Sequence, residues 1–324
     1  MEYRKIQKTG GSSYAISLPK EWIKVNSLNE GDSVGVKVLS SGELLVFPLD
    51  KEGSMGDYLL QIDGKIEAEH LLRTLIAVYL RGYDGVILKE EPMIDEDARK
   101  TVKAFTSVVV GVEIMEERSD AIVLRDLMGS PDVEPMRILS RMSSMAEAGL
   151  SDVRSSSVIH NPSLLREVIE RDSQIDKLYL LTARQFNKAL ARPLYAETLG
   201  TDVKSLSEAR NVAKQIERIG DHVESAASLL LEYGKPLGRP GLDELFDASV
   251  QFFHEAFQAF SDADGEASQE LIDRIERSTS KFMLLLKQYE SSNTVYELLL
   301  AEDLIRVMFY SSDIAEAAID LSVR

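Results

Sequence analysis

The chain has 324 residues, of which 44% are hydrophobic, with no cysteine and only four histidines. Its length allows two or three domains with packed cores, and the missing cysteines exclude disulfide bonds and thiolate metal sites. The formal net charge of −17 argues against a protein that coats nucleic acid along its whole length.

Residues 1–50 are predicted to form short strands separated by turns. Alternation over residues 14–18 indicates a strand, Pro19 suits the first position of a helical turn, and residues 34–47 predict a hairpin about a turn at 40–42. The segment contains six Lys or Arg and six Asp or Glu residues. It is therefore the least acidic part of the chain, and contact with DNA is expected there if anywhere.

Three short motifs precede the predicted hairpin in this segment. They are KTGGSS at residues 8–13, ISLPKEW at 16–22 and EGD at 30–32. The set resembles the swapped-hairpin domains of the AbrB, MazE and SpoVT family. The resemblance implies an intertwined homodimer and, in many members, DNA binding. The residues expected to contact DNA are Arg4, Lys5, Lys8, Ser12, Ser13, Tyr14 and Lys20. The alternative, a mixed surface on a module that only dimerises, is favoured by the zero net charge.

Residues 56–130 have the pattern of a small α/β domain. Strands are predicted at 58–62, 85–88, 112–117 and 121–125, and helices at 67–81 and 95–109. The order β-α-β-α-β-β predicts two helices on one face of a sheet. The segment lacks a glycine-rich phosphate-binding motif, so its sequence does not indicate a ligand.

From residue 133 the hydrophobic period is helical. Helices are predicted at 133–157, 162–191, 198–233, 241–262, 266–290 and 294–323. The Gly- and Pro-rich stretch 234–241 separates two repeats, about 133–234 and 241–324. The predicted fold is therefore multi-domain: a small β swapped-hairpin domain at 1–52, the α/β domain at 56–130, and an all-α domain of two three-helix bundles at 133–324.

Two acidic stretches of the first repeat, residues 170–178 (ERDSQIDKL) and 215–222 (QIERIGDH), resemble the signature helices of the PhoU family of phosphate-signalling proteins. The resemblance covers about the last 190 residues. It implies metal clusters at these motifs in some members, and repression of phosphate uptake through a phosphate ABC transporter ATPase or a sensor kinase. Many archaeal chains are similar to this three-part arrangement, from the swapped hairpin to the PhoU-like helices.

The acidic residues of these stretches are spaced i, i+4. This spacing places Asp172 and Asp176 on one helix face, and Glu217 and Asp221 on another. If the two helices pack antiparallel, the four carboxylates converge and need a cation to offset their repulsion. Oxygen ligands suit Mg²⁺, Mn²⁺, Ca²⁺ or iron, and Zn²⁺ stays an option, with or without phosphate. The alternative is a solvated face on an acidic protein.

The second repeat preserves the acidic pattern only in part. Glu276 and Asp313 remain as counterparts of the acids, whereas Phe309 and Ser280 replace the others. We therefore expect at most one good metal site per chain, in the first repeat.

The sequence predicts a regulator rather than an enzyme, because it contains no P-loop, nucleophile elbow or zincin motif. We expect a cytoplasmic protein without membrane insertion, since the N-terminus lacks a signal-peptide core and charges interrupt the apolar helices. The leading hypothesis is a phosphate-responsive, DNA-binding transcriptional regulator. The alternatives are a non-DNA-binding adaptor that acts by protein contact and a metal-dependent phosphohydrolase.

Overall fold

The computed structural model describes residues 2–38, 42–49, 55–62, 64, 66–128, 133–237, 241–290 and 295–323. The chain divides into two compact units, Met1–Ser54 and Met55–Arg324. The predicted hairpin turn at residues 40–41 and residues 238–240 of the predicted Gly- and Pro-rich break lie outside the described residues. The three domain ranges 1–52, 56–130 and 133–324 stay predictions.

The first unit consists of two small hairpins and a short helix. Its elements are β1 (Gln7–Thr9), β2 (Ser13–Ala15), α1 (Lys20–Val25), β3 (Val34–Val38) and β4 (Leu44–Pro48). β1 pairs antiparallel with β2, and β3 with β4. Pro19 is the N-cap residue of α1, one position before the first helical position that the sequence predicted for it. The strand predicted at 14–18 is shorter in the structure, because β2 ends at Ala15.

The first unit lacks a core of its own, because none of its described residues is buried. Large apolar side chains are exposed instead, including Ile6, Val25 and Val36, with Val38 68% exposed. Two-stranded sheets without a covered apolar face are marginally stable in water. The unit therefore has the surface expected of one part of a larger module.

The second unit begins with an α/β layer, as predicted. Its elements are β5 (Asp57–Ile62), α2 (Ala68–Arg81), β6 (Gly85–Glu90), α3 (Glu96–Val108), β7 (Val112–Glu117) and β8 (Ala121–Asp126). The strand order is β5-β6-β8-β7, with β5 and β6 parallel and the other pairs antiparallel. Alternate strand residues such as Val86, Leu88 and Leu124 share one core with α2 and α3, since successive strand side chains point to opposite faces.

The rest of the second unit is helical. Its helices are α4 (Pro135–Ile159), α5 (Pro162–Ala191), α6 (Pro193–Thr198), α7 (Val203–Tyr233), α8 (Leu242–Asp262), α9 (Gly265–Glu290) and α10 (Val295–Ser322). The six long helices correspond to the predicted ones, and one continuous hydrophobic cluster runs through both halves. Among the described helices, none is long and apolar enough to cross a membrane.

The helix predicted at 198–233 differs from the structure at its beginning. Pro193 starts the separate short helix α6, and Gly200 then adopts a positive φ of 70°. α7 begins at Val203, where the Asp202 side chain accepts a hydrogen bond from the Ser205 amide at 2.8 Å. The separate helix α6 was not predicted, because the helical period continues across this break, although Asp202 is a good N-cap residue.

Arg184 on α5 fastens the helical part of the second unit to the sheet. Its guanidinium lies 2.6 Å from the Asp126 carboxylate at the end of β8, with the two side chains only 4% and 9% exposed. It also donates hydrogen bonds to the carbonyl oxygens of Tyr79 and Tyr83. Asn187, one turn later, donates to the Leu80 carbonyl at 2.7 Å. The C-terminal half of α5 is thus fixed against the end of α2.

Replacing Arg184 by Ala is expected to lower the free energy of unfolding by about 3–5 kcal/mol, because it leaves the Asp126 carboxylate buried and unpaired. Arg154→Ala is the control, since Arg154 pairs with the exposed Asp243 and Asp247 and should cost no more than about 1 kcal/mol. Urea unfolding followed by circular dichroism measures both. Equal losses for the two variants would show that Arg184 is no more than a surface residue.

Candidate metal centre

The predicted acidic residues lie where α5 packs on α7. Among the acids of α7, Asp221 raises the pKa of Asp172 most, whereas Glu217 raises the pKa of Asp176 most. Residue numbers therefore rise along one helix as they fall along the other, which makes the two helices antiparallel. Buried side chains of both helices, among them Ile175, hold the pair together beneath the acids.

Three of the four predicted ligands converge. One carboxylate oxygen from each of Asp172, Asp176 and Asp221 lies within 4.8 Å of the others. Asp172 and Asp176 are partly buried, whereas Asp221 is exposed. The Oδ1 atom of Asp172 is buried and has no hydrogen-bond partner in the described part of the chain. The cluster is thus open to solvent on one side and holds an oxygen that still needs a donor or a cation.

Gly220 makes room for this cluster inside α7. A Cβ atom at position 220 would lie 2.9 Å from Asp172 Oδ1 and 3.2 Å from Ile175 Cδ1. Glycine inside a helix costs about 1 kcal/mol relative to alanine. Here its missing side chain lets the Asp172 carboxylate lie directly against the α7 backbone.

The cluster is electrostatically unfavourable without a cation. Burial, followed by the charges of Asp176 and Asp221, raises the pKa of Asp172 to about 7. Burial and the charges of Glu217 and Asp221 raise the pKa of Asp176 to about 6. A bound cation would favour the ionised carboxylates and offset this repulsion.

Glu217, the fourth predicted ligand, is engaged elsewhere. Its carboxylate accepts a hydrogen bond from the Lys214 ammonium group one turn earlier on α7. The Lys214 ammonium also lies 4.9 Å from the centre of the Tyr179 ring. Glu217 therefore borders the cluster of three acids, and its charge is partly neutralised within its own helix.

Glu224 was not predicted, although its charge contributes to the raised pKa of Asp172. It follows Asp221 by three residues on α7, a spacing that places both on one helix face and that the sequence alone could have revealed. His222 lies against a different helix, with its Nδ1 atom 2.8 Å from the Asp303 carboxylate of α10.

The second repeat lacks a comparable centre in the part of the chain that the structure describes. Glu276 is exposed, and Asp313 is partly buried. Burial and the Glu316 charge raise the pKa of Asp313, while Arg218 opposes this rise. Phe309 occupies the position expected for an acid and is 43% exposed.

The seven residues predicted to contact DNA all lie in the first unit and are all exposed. Lys8 on β1 is paired across the hairpin with Tyr14 on β2, and Ser12 and Ser13 lie where β2 begins. Arg4 forms an ion pair with Glu2, which reduces the positive charge it offers to a phosphate. The structure thus leaves these side chains accessible along one small hairpin and the start of α1.

The acid cluster predicts an inverse pH dependence of stability in the presence of a chelator. The folded state keeps protons on Asp172 and Asp176 up to about pH 7 and 6, whereas their ordinary pKa is 3.8. Unfolding therefore releases protons, and the free energy of unfolding falls as the pH rises from about 4 to 7. Asp172→Asn should flatten this fall and raise the melting temperature at pH 8.

Thermal unfolding between pH 5 and 8 measures this effect. Glu276→Gln is the control, because it removes one exposed acid from the same acidic protein. A melting temperature at pH 8 that is lower in Asp172→Asn than in the wild type would contradict the prediction.

Two family models match the chain. Residues 139–230 match the PhoU domain. Residues 7–54 match the MazE family, described as "Antidote-toxin recognition MazE, bacterial antitoxin". The three clustered acids and Glu217 all fall within the first match. No curated protein sequence matches the chain.

Solved structures of PhoU proteins resemble part of the fold. PhoU from Pseudomonas aeruginosa is 20% identical with a TM-score of 0.49, and the match covers 58% of this chain and 94% of that one. The phosphate transport system regulatory protein PhoU from Streptococcus pneumoniae is 17% identical with a TM-score of 0.47, covering 58% and 91%. From the two family models, the chain combines an N-terminal MazE-type domain with a PhoU domain, as both sequence resemblances predicted.

Proposed function

We propose that this chain is a cytoplasmic, phosphate-responsive regulator that dimerises and binds DNA through its MazE-type domain and binds a metal ion in its PhoU domain. One observation carries the metal part of the proposal. Asp172, Asp176 and Asp221 gather their carboxylate oxygens within 4.8 Å in the PhoU domain, and Asp172 Oδ1 has no partner among the described residues. We propose a regulatory rather than a catalytic role, since the sequence contains no P-loop, nucleophile elbow or zincin motif.

The three aspartates suit a hard metal ion. Carboxylate oxygens are preferred ligands of Mg²⁺, Ca²⁺ and Mn²⁺, and also bind iron. Because Asp221 is exposed, a bound ion would remain accessible to water or to a phosphate oxygen. The residues fit such an ion in charge, ligand type and spacing, and the ion would supply the positive charge that the cluster lacks.

The metal proposal predicts that the wild-type protein, purified without a histidine tag, retains about one metal ion per chain, and that the Asp172→Asn, Asp176→Asn, Asp221→Asn variant retains none. Elemental analysis by mass spectrometry measures this. A matched control, Glu276→Gln with Asp313→Asn, changes acids of the second repeat and should keep the metal. Equal metal content in the wild type and the triple variant would refute the site.

Dimerisation is supported by the exposed apolar residues of the first unit. Without a buried residue in its described part, about fifty residues cannot form a stable core alone. A second copy would cover side chains such as Val36 and Val38. It would also double the number of basic side chains on the module, which strengthens binding to DNA phosphates.

The DNA-binding proposal predicts that Lys8→Ala weakens binding of the dimer to its own upstream DNA more than Lys24→Ala does. Each variant removes one exposed positive charge per chain, but Lys24 lies outside the predicted contact set. Each lysine–phosphate interaction contributes about 0.9 to the slope of log K against log salt, so Lys8→Ala, which removes one from each chain of the dimer, should reduce the slope by about 1.8. Mobility-shift titrations at several salt concentrations measure the slope, with light scattering to verify the dimer.

Two outcomes would contradict DNA regulation: no shift of the upstream DNA at low salt, or equal weakening by Lys8→Ala and Lys24→Ala. The first result would favour the adaptor, in which the MazE-type domain serves only to dimerise the chain. The regulatory output would then pass by protein contact to a phosphate transporter ATPase or a sensor kinase.

A further inference from the structure

A cavity of about 570 Å³ lies between the α/β layer and the helical part of the second unit. Its apolar wall comes from α2, the end of α3 and α5. The residues of this wall are Leu72, Ile76, Val108, Tyr179 and Leu180. Asp176 and Glu217 also line the cavity, so one space joins an aliphatic surface to two carboxylates.

The position of the cavity follows from the way α5 is fastened. Arg184 and Asn187 hold α5 against the last turn of α2 through the carbonyl oxygens of Tyr79 and Leu80. One to two turns away from these contacts, Leu72 and Ile76 of α2 line the open space and also pack against the α/β core. The contacts of Arg184 and Asn187 therefore hold α5 against α2 beside this space.

Negative charge exceeds positive charge around Asp176, at the acidic end of the cavity. Asp176 makes no hydrogen bond or ion pair within the described ranges, and the neighbouring Asp221 and Glu217 add negative charge to its surroundings. The Lys214 ammonium group pairs with Glu217 and offsets only part of the negative charge around Asp176. Lys177 is the cationic residue among the described residues that line the cavity. The carboxylates therefore dominate at Asp176, and a positively charged group is the complementary ligand.

We propose that this cavity binds an amphipathic organic cation, with its apolar body against Leu72, Ile76 and Leu180 and its amino or guanidinium head at Asp176. The volume falls within the range of small-ligand sites, which frequently occur between packed modules. An apolar chain that ends in a cation matches both walls at once, as lysine side chains do when their methylenes lie along apolar surface. The inference does not depend on the proposed metal site.

The test uses three probes of the full chain in a chelator-containing buffer at pH 7. n-Octylamine is protonated at this pH and combines an apolar chain with a cation; n-octanoate reverses the charge, and methylamine removes the chain. Isothermal titration calorimetry should detect binding of octylamine, with octanoate and methylamine each at least about tenfold weaker. Absence of octylamine binding, or equal binding of octanoate, would overturn the proposal.

Two variants locate the octylamine site. Asp176→Asn should weaken binding about tenfold by removing the charged partner of the head group, and Leu72→Gln should weaken it by disrupting the apolar wall. Their controls are Asp313→Asn, another partly buried acid, and Leu59→Gln, an exposed leucine of β5. Octylamine affinity that is unchanged in both cavity variants would overturn the assignment. The comparison of probes on wild-type protein remains decisive if a variant fails to fold.

Discussion

The buried ion pair between Arg184 and Asp126 determines where α5 lies in the second unit. Burying two charges is unfavourable unless further hydrogen bonds satisfy them, and Arg184 meets this condition by donating also to the carbonyls of Tyr79 and Tyr83. This geometry permits little sliding or rotation of α5. The turns that carry Asp172 and Asp176 are parts of the same continuous helix, so the ion pair also positions the acidic cluster.

The acidic cluster is tolerated because the helices beneath it are well packed. Ile175 of α5 and Ile216 and Ile219 of α7 are almost wholly buried, and each such side chain contributes about 1.5–3 kcal/mol on burial. Repulsion between half-buried carboxylates opposes this packing. Gly220 also reduces stability, because glycine has a poor helix propensity. It lies where a larger residue would clash with the Asp172 carboxylate. The arrangement is therefore better suited to holding a cation than to maximal stability.

The sequence predicted the local features of this unit and missed those that join distant segments. Pro162 and Pro193 mark the limits of α5, and i, i+4 spacing placed Asp172 and Asp176 on one face. The partner of Arg184, in contrast, lies 58 residues away, and no periodicity connects the two. Glu217 is a second example. Its spacing from Asp221 made it a candidate ligand, but in the structure its carboxylate pairs with Lys214, one turn earlier on the same helix. The cavity was unpredictable because helices from distant parts of the chain line it.

Asp176 belongs to both the acid cluster and the cavity, which has a thermodynamic consequence. A metal ion at the cluster and an organic cation in the cavity would use the same carboxylate, so each would lower the affinity for the other. Linkage requires the two reductions to be the same factor. Such competition needs no large movement of α5, because both ligands would bind the same Asp176 carboxylate. The α5 helix would then couple a metal signal to an organic one through a single aspartate.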